Sequence, residues 1–281
     1  MSKVIVVTGA TSGVGKALTL ELLKEGHQVI AIGRNPQKLN DLENHVDDYK
    51  DTLHLLRADF SSLSSVKHCS NSIKELFSDG IDVLINNAAT VPKKRTLSED
   101  HIEMQFQVNH LVPFMMSHLL LPLLEKKEGI IITTSSNAHK KAKFKENDLE
   151  TTKKYHVLRA YARTKLYNIM FTISFNERYQ SSNVKAYAVH PGVVNTAIGT
   201  KNTSKLYAMI WKWYTKRGIS PKEATKTFID IIDAKITTSD AVYFYRSKKH
   251  DYAEDKFNYE DQTTLWEYSL NKLKENSADI V

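Results

Sequence analysis

The chain has 281 residues, of which 41% are hydrophobic and 25% charged, and its formal net charge is +7 at pH 7. This composition is typical of a globular protein with a sizeable core, and it argues against a disordered or fibrous chain. The single cysteine, Cys69, excludes an internal disulfide, and no Cys/His group has zinc-finger spacing. We therefore expect no metal and a reducing setting. Without a signal peptide or a membrane span, we expect a soluble, cytoplasmic protein.

Positive charge is concentrated in four short clusters, at residues 93–95, 140–145, 153–154 and 248–249. These clusters are scattered along the chain and carry none of the aromatic or zinc patterns of nucleic-acid readers. We interpret them as a solvated surface with mild attraction for phosphate-bearing ligands, and we expect no nucleic acid as a partner. A nucleic-acid or acidic-partner binder is the alternative that the charge suggests, and strongly salt-dependent binding to duplex DNA would support it.

Short β-branched runs alternate with amphipathic segments along the chain. This alternation predicts an α/β fold: a single-domain, Rossmann-type, doubly wound parallel sheet of about seven strands with helices on both faces. No linker or repeat divides residues 1–281, and the polar stretch 140–154 is interpreted as a surface insertion without an apolar face. The predicted strands are 4–8, 28–32, 52–58, 81–86, 129–134, 184–190 and 241–245, and the predicted helices are 14–25, 37–48, 63–77, 101–125, 158–180 and 262–274.

A glycine-rich turn joins the first predicted strand to the first helix, where residues 8–15 read Thr-Gly-Ala-Thr-Ser-Gly-Val-Gly. Such a turn presents backbone N–H groups at a helix N-terminus without Cβ atoms in the way, as a dinucleotide pyrophosphate requires. Its spacing differs from G-x-G-x-x-G, and tight turns use glycine for other reasons as well. In this position the turn predicts cofactor contacts from Gly9, Thr11, Ser12, Gly13, Val14 and Gly15.

The end of the second predicted strand bears on the choice of cofactor. NAD-binding proteins of this type have an acidic residue there that hydrogen-bonds the ribose 2′-hydroxyl. This chain has Ile32-Gly33-Arg34-Asn35, without a carboxylate, and the guanidinium of Arg34 suits a 2′-phosphate. The sequence therefore predicts NADP(H). A solvent-exposed arginine in a turn is the alternative interpretation of Arg34.

Further motifs follow along the chain. They lie at residues 59–60, 86–89 (Asn-Asn-Ala-Ala), 136, 161–165 (Tyr-x-x-x-Lys) and 190–196 (His-Pro-Gly-Val-Val-Asn-Thr). Together with the glycine-rich turn they resemble the short-chain dehydrogenase/reductase family over nearly the whole chain, with Ala89 in place of the family's usual glycine. The resemblance implies cofactor contacts from Asp59, Phe60, Asn87, Ala88, Ala89, Tyr161, Lys165, Pro191, Gly192, Val194 and Thr196.

The resemblance also implies a catalytic set of Ser136, Tyr161, Lys165 and Asn109. Reduction of a carbonyl places negative charge on its oxygen, so a proton donor is needed, and a free tyrosine with a pKa near ~10 is a poor one. Lys165, one helical turn after Tyr161, would favour the phenolate. Ser136 would hydrogen-bond the reacting oxygen, and Asn109 would support a water-linked proton path. The sequence alone leaves open whether Ser135 or Ser136 faces the cleft, and the family pattern favours Ser136.

The branch is suggested by the wide Ser136–Tyr161 spacing, by Ser-Ser-Asn-Ala-His at residues 135–139 and by the late Leu265-Trp266-Glu267. These features resemble the retinol dehydrogenase and WW-domain oxidoreductase branch. A segment near residues 196–220 is expected to cover the substrate. Its stripe of Leu206, Tyr207, Ile210, Trp211 and Tyr214 favours an apolar aldehyde, ketone or alcohol, with ordinary helix packing as the alternative.

The leading hypothesis is a reductase that moves hydride between nicotinamide and a carbonyl or alcohol carbon. The first alternative is an NADP(H)-binding regulatory or scaffold protein with little turnover, which would have no need of a proton-transferring tyrosine. Many relatives associate through the helices that carry Asn109 and Tyr161, and either a monomer or a homodimer is compatible with the sequence.

Overall fold

The computed structural model describes residues 1–194, 218–236 and 242–276. Its centre is one sheet with the strand order β3-β2-β1-β4-β5-β6-β7-β8, in which only β8 runs antiparallel to its neighbour. The strands are β1 Val4–Thr8, β2 Gln28–Gly33, β3 Leu53–Arg57, β4 Val83–Asn86, β5 Ile130–Thr134, β6 Lys185–His190, β7 Tyr243–Tyr245 and β8 Lys248–Lys249.

The helices lie on both faces of this sheet. The longest is α7, which spans 22 residues and carries the predicted Tyr-x-x-x-Lys motif. The α-helices are α1 Gly13–Lys24, α2 Pro36–Glu43, α3 Leu63–Leu76, α4 Met104–Phe106, α5 Val112–Leu119, α6 Leu121–Glu125, α7 Val157–Arg178, α8 Pro221–Ile232 and α9 Tyr259–Asn276, and a π-helix spans Gln107–Leu111.

The side chains of the central strands alternate between two apolar cores. In β1, Val6 packs into one core, whereas Ile5 and Val7 pack into the other, and none of the three is exposed. This alternation follows from the two-residue period of a strand. Both faces are covered, which explains why the strands are almost continuously apolar in sequence. The predicted α/β, doubly wound, single-domain fold is thereby confirmed.

The strand order reverses beside β1, which pairs with β2 on one side and with β4 on the other. The connections after β1 and β4 therefore leave the sheet in opposite directions, and a crevice forms at the carboxyl ends of these two strands. Ligands of open α/β sheets bind at such a switch point. The glycine-rich turn after β1 and the Asn-Asn-Ala-Ala motif after β4 meet there.

The predicted helix over residues 101–125 is broken in the structure. The helical segment begins only at Met104, passes through one π-helical stretch and is interrupted again before Leu121. Pro113 and Pro122 each stand in the first turn of the helix that follows an interruption. A proline cannot donate the hydrogen bond that an uninterrupted helix needs, and this explains the second break.

Within the described residues the sheet has eight strands, where about seven were expected. The eighth, β8, consists of two exposed lysines whose cluster was interpreted as solvated surface. It forms because Arg246 and Ser247 adopt positive φ angles of 50° and 59°, and such angles close a tight hairpin after β7. The turn contains neither asparagine nor glycine, so the usual sequence signal for this hairpin is missing.

The stretch at residues 140–154 has an apolar side, contrary to the prediction. Ala142 and Leu149 are buried in the core, and Phe144 packs against it. Arg163 of α7 holds the stretch in place, because its guanidinium donates to the carbonyl oxygens of Lys143 at 3.1 Å and of Asp148 at 2.8 Å. The apolar residues were overlooked because lysines surround them in the sequence.

Within the described parts of the chain, no helix is both long and apolar enough to cross a membrane. Several sequence predictions fall outside the described residues. These are Thr196 and most of the expected substrate-covering segment, including Leu206, Tyr207, Ile210, Trp211 and Tyr214.

Candidate active site

The glycine-rich turn packs closely against the residues that follow β4. Gly9 has a φ of +67°, and a Cβ atom there would lie 3.0 Å from the Cα of Ala88. A Cβ atom on Gly15 would lie 2.2 Å from the carbonyl oxygen of Gly9. A larger residue at either position would therefore force the turn open.

Thr8 and Asn87 fasten this turn to the end of β4. The Thr8 hydroxyl accepts hydrogen bonds from the backbone N–H groups of Asn87 at 2.9 Å and Ala88 at 3.0 Å. In return, the Asn87 side chain donates to the carbonyl oxygen of Thr8 at 3.0 Å. The Asn-Asn-Ala-Ala motif thus supports the glycine-rich turn in addition to lining the crevice.

The N-terminus of α1 opens into the crevice. Ser12 is the N-cap residue, and its side chain makes no capping hydrogen bond. Ser12, Gly13 and Val14 line the cleft together with Asn87, Ala88 and Ala89. A helix N-terminus with exposed N–H groups attracts anions, and the missing Cβ atoms leave room for a close approach. The residues present therefore fit a dinucleotide pyrophosphate.

Tyr161 and Lys165 face the same cleft, which has a volume of about 1270 Å³. They belong to a stripe on α7, at Leu158, Tyr161, Ala162 and Lys165, whose spacing places all four on one helix face. The Nζ atom of Lys165 lies 5.6 Å from the centre of the Tyr161 ring. The structure thus brings the predicted tyrosine and lysine together at the cleft.

Lys165 is buried, with 1% of its surface exposed. Its Nζ donates a hydrogen bond to the carbonyl oxygen of Thr134, at the end of β5, at 2.9 Å. Burial lowers the pKa of Lys165 from 10.5 to about 7, because an ammonium group loses its hydration there. The charge of this lysine is therefore sensitive to pH near neutrality.

Ser135 and Ser136 occupy different environments. Ser135 is fully buried, and its hydroxyl donates to the carbonyl oxygen of Lys165 at 2.7 Å. Ser136 is partly exposed at the start of a 3-10 helix, Asn137–Lys141, and its hydroxyl accepts from the N–H of Ala138 at 3.2 Å. The Ser136 hydroxyl can still donate a hydrogen bond, so Ser136 is the better placed of the two to contact a reacting oxygen.

His139 anchors the segment that carries Ser136. Its Nδ1 lies 2.6 Å from the carbonyl oxygen of Ser136, and its Nε2 accepts from the N–H of Ala253 at 3.3 Å. Since a carbonyl oxygen can only accept, Nδ1 carries the proton and the imidazole is neutral. Burial also lowers the pKa of His139, which favours the same neutral form.

Asn109 lies behind the cleft rather than in it. Its side chain is fully buried and accepts from the N–H of Thr90 at 2.7 Å. It also donates to the carbonyl oxygen of Thr90 at 3.1 Å and to the Thr164 hydroxyl at 3.3 Å. The Asn109 side chain thus clamps the loop after β4 to α7, and its path to a substrate would be indirect.

Some of the remaining predicted cofactor residues line the cleft, and others pack behind its walls. Arg34 lines the cleft with a side chain that is 72% exposed, and its guanidinium lies 3.9 Å from the Asp59 carboxylate. Asp59 also accepts from the N–H and the hydroxyl of Ser61. Gly15, Phe60 and Thr11 support the walls: Phe60 packs into the core, and the methyl group of Thr11 packs against Gly33.

The predicted Pro-Gly turn closes the opposite side of the cleft, where Pro191, Gly192 and Val194 line it. Gly192 has a φ of +95°, and a Cβ atom there would lie 2.8 Å from the side chain of Ile219. Val194 forms a parallel bridge with Ile219. The turn is thus fixed to the residues that precede α8.

Sequence reasoning missed a group of cleft residues outside the family motifs, namely Lys93, Lys94, Met104, Lys141, Leu158 and Arg159. The helical spacing of Leu158 relative to Tyr161 was an available signal. The lysines carried none, because a charged loop residue is most often solvated.

The comparisons with known proteins agree with this geometry. Residues 3–206 match the short chain dehydrogenase family. The chain belongs to the short-chain dehydrogenase family. Retinol dehydrogenase 13 from Homo sapiens is 35% identical over 201 residues, which cover 70% of this chain and 60% of that protein. Retinol dehydrogenase 12 from Mus musculus is 31% identical over 278 residues, which cover 96% of this chain and 86% of that protein.

The match therefore spans less than two thirds of retinol dehydrogenase 13 and most of retinol dehydrogenase 12. Both relatives confirm the predicted retinol dehydrogenase-like branch. Among solved structures, an uncharacterized protein from Mycobacterium Paratuberculosis has a TM-score of 0.74 and 26% identity, covering 97% of this chain and 93% of that one. An NADPH-bound carbonyl reductase from chicken fatty liver, with a TM-score of 0.67 and 21% identity over 89% and 98% of the two chains, shows the shared fold.

Proposed function

We propose that this protein is an NADP(H)-dependent oxidoreductase that reduces an apolar aldehyde or ketone to the alcohol. The observation that carries the proposal is the placement of Tyr161 and buried Lys165 on the cleft face of α7, beside Ser136. Family membership adds support, since the short-chain dehydrogenases are oxidoreductases. A Tyr-x-x-x-Lys pair that only packed on the surface would not be expected to line a cleft.

The cofactor would lie between the N-terminus of α1 and the Pro-Gly turn. Ser12, Gly13 and Val14 would hold its pyrophosphate, and Arg34 would pair with a 2′-phosphate. The exposed Arg34 guanidinium is only loosely paired with Asp59, at 3.9 Å, so it retains donors for such a phosphate. When bound, the nicotinamide supplies a hydride to the carbonyl carbon and is oxidised, while the carbonyl oxygen takes a proton.

The chain's own residues would handle that proton. Tyr161 would donate its phenolic proton to the substrate oxygen, and Ser136 would hydrogen-bond the same oxygen. A protonated Lys165 would stabilise the resulting phenolate across the 5.6 Å that separates its Nζ from the ring centre. Asn109 would act by holding the loop at Thr90 in position rather than by contacting the substrate.

The apolar character of the substrate is supported by the lining of the cleft. Apolar residues in it include Val91, Pro92, Met104, Leu158 and Val193. Ligand sites for small molecules have such apolar walls with a few polar groups that fix orientation. A carbonyl flanked by hydrocarbon would suit this lining. The cytoplasmic location expected from the sequence stays a prediction.

A cofactor-binding regulatory protein is the second candidate. It would use the same glycine-rich turn and Arg34 but would not require Tyr161 at the cleft. An assay of NADPH oxidation against aliphatic, aromatic and retinoid aldehydes and ketones separates the two functions. We expect turnover with at least one class, and a lower Kd for NADPH than for NADH.

Two results would contradict the proposal. Tight NADPH binding without turnover across the whole panel would favour the regulatory function. A preference for NADH would show that Arg34 does not select a 2′-phosphate. An Arg34→Gln variant provides the internal check, because it should reduce the NADPH preference by about tenfold, as expected for loss of a charge-assisted pair.

A further inference from the structure

The mouth of the cleft carries four cationic side chains that the proposed hydride chemistry does not use. Lys93 and Lys94 lie on the loop after β4, Lys141 ends the 3-10 helix that follows Ser136, and Arg159 lies in the first turn of α7. We call these four residues the cationic rim. All four are exposed, and all four line the same cleft as Tyr161.

The cationic rim meets no negative charge within the described residues. No aspartate or glutamate is among the described residues that line the cleft. In the same described part of the chain, none of the four rim residues pairs with a carboxylate, and Arg159 donates instead to the carbonyl oxygen of Lys154 at 2.8 Å. By sequence, residues 195–217 contain no aspartate or glutamate either, so they add no counter-charge.

The cationic rim is distinct from the predicted phosphate contacts of the cofactor. Those contacts come from Arg34 and from the N-terminus of α1, at the carboxyl ends of β1 and β2. Arg159 instead adjoins Leu158, one helical turn before Tyr161, and Lys141 follows the segment of Ser136. The four charges therefore belong to the part of the cleft that would receive the substrate.

Like charges gathered at a cleft mouth repel one another and produce a positive potential that attracts anions. The same cleft is also lined by apolar residues, at Val91, Pro92, Met104 and Leu158. A fully apolar substrate would match the apolar lining but would have no anionic group for the cationic rim to bind. An inorganic anion would match the rim but would not cover the apolar lining.

From this arrangement we infer that the substrate is an amphiphilic acid: an aldehyde or ketone with a hydrocarbon body and an anionic group at its far end, which the cationic rim binds. The anionic group is a carboxylate or a phosphate, both of which accept hydrogen bonds from lysine and arginine. The inference rests on the proposed reductase function and narrows its substrate class. It also assigns a role to Lys93, Lys94, Lys141 and Arg159, which lie outside the family motifs.

The test compares substrates that differ only in charge. NADPH oxidation is measured with 12-oxododecanoic acid, its methyl ester and 12-oxododecyl phosphate. We expect kcat/KM for the acid to exceed that for the ester by about tenfold at low salt, which corresponds to about 1.4 kcal/mol. The preference should shrink as the ionic strength rises, because salt screens exposed charges. The phosphate arm shows which of the two anionic groups the rim prefers.

Two double variants locate the effect. Lys93→Gln/Lys94→Gln should reduce the acid-to-ester ratio of kcat/KM toward one. The matched control, Lys127→Gln/Lys185→Gln, removes two exposed charges beside the amino ends of β5 and β6, at the opposite edge of the sheet, and should leave that ratio unchanged. Equal ratios in the two variants, or a wild-type ratio near one, would overturn the inference.

A binding measurement separates this inference from the proposed function. Calorimetric titration of the Tyr161→Phe protein with acid and ester reports the anion preference without turnover. One outcome would contradict the reductase function and retain the anion site. This outcome is absence of turnover with every compound, together with tighter binding of the acid that the Lys93→Gln/Lys94→Gln change reduces. Turnover of the ester and the acid with equal kcat/KM and equal Kd would support the reductase function and overturn the anion site.

Discussion

Among single residues, Lys165 shows how a proposed catalytic role can conflict with stability. Its Nζ is buried and is held by the carbonyl oxygen of Thr134, which also accepts from the side chain of Asn168 at 3.1 Å. Burial places the pKa of Lys165 at about 7, far below that of a lysine in the unfolded chain. Burying this group therefore reduces the free energy of unfolding, a cost that the proposed catalytic role of Lys165 would explain.

We expect Lys165→Met to raise the free energy of unfolding at pH 7 by about 1 kcal/mol or more while reducing turnover by orders of magnitude. Methionine fills a similar volume without a charge, and Thr134 keeps its bond from Asn168. The lysine pKa is lowered in the folded state, so the penalty is complete below pH 7 and decreases as the pH rises toward about 10.4. Urea unfolding of both proteins at pH 7 and pH 9 measures this, and a less stable variant at pH 7 would contradict it.

At the scale of elements, α9 covers the outer face of α5 and α7. Trp266 of α9 is 5% exposed, and its ring centre lies 4.8 Å from that of Phe114 on α5. Arg178 at the end of α7 places its guanidinium 4.8 Å from the centre of the Trp266 ring. In the sequence analysis, the helices that carry Asn109 and Tyr161 were a candidate surface for association between subunits. The helix α9 occupies part of that surface.

Trp266→Ala is expected to lower the free energy of unfolding by about 3–5 kcal/mol, because it leaves a large cavity between three helices. Tyr259→Ala is the matched control: this aromatic residue begins the same helix but is 69% exposed, so its replacement should have little effect. Because α9 occupies part of the surface suggested for association, we expect the wild-type protein to sediment as a monomer. Equal stability losses in the two variants, or a stable dimer, would contradict this account of α9.

The elements differ in how well the sequence predicted them. The strands β1, β2, β4 and β5 were anticipated because both of their faces are buried, which makes them almost continuously apolar in sequence. The break before α5 and the hairpin at Arg246 and Ser247 were missed, because a π-helical turn and positive φ angles at residues other than glycine leave no reliable pattern. Likewise, Tyr161 and Lys165 were identified from a motif, whereas Lys93 and Lys141 reach the cleft only through tertiary packing.

At the scale of the whole molecule, buried histidines make stability depend on pH. Burial lowers the pKa of His110 to about 3 and that of His190 to about 4. Between about pH 6.5 and pH 4 the unfolded chain binds protons at these positions that the folded chain does not. The free energy of unfolding must therefore fall as the pH falls through this range.

Each of these two histidines contributes a slope of up to about 1.4 kcal/mol per pH unit. Urea unfolding at pH 7, 6 and 5 is expected to show a steepening loss of stability below pH 6.5. His110 and His190 together supply one part of this slope, and a His110→Gln variant should retain only about half of that part. Stability that stayed constant from pH 7 to pH 5 would show that these imidazoles are accessible to protons in the folded protein.

The proposed reductase activity is tested most directly by following a single hydrogen atom. The wild-type protein and Tyr161→Phe are each incubated with NADPH that carries deuterium at the transferring position of the nicotinamide and with an aldehyde that the wild type accepts. For the wild type we expect an alcohol with one deuterium on the former carbonyl carbon. For Tyr161→Phe we expect a rate lower by about 100-fold or more, as for loss of a general acid, with an unchanged Kd for NADPH. An alcohol without deuterium, or a Tyr161→Phe variant with undiminished rate, would contradict the proposed activity.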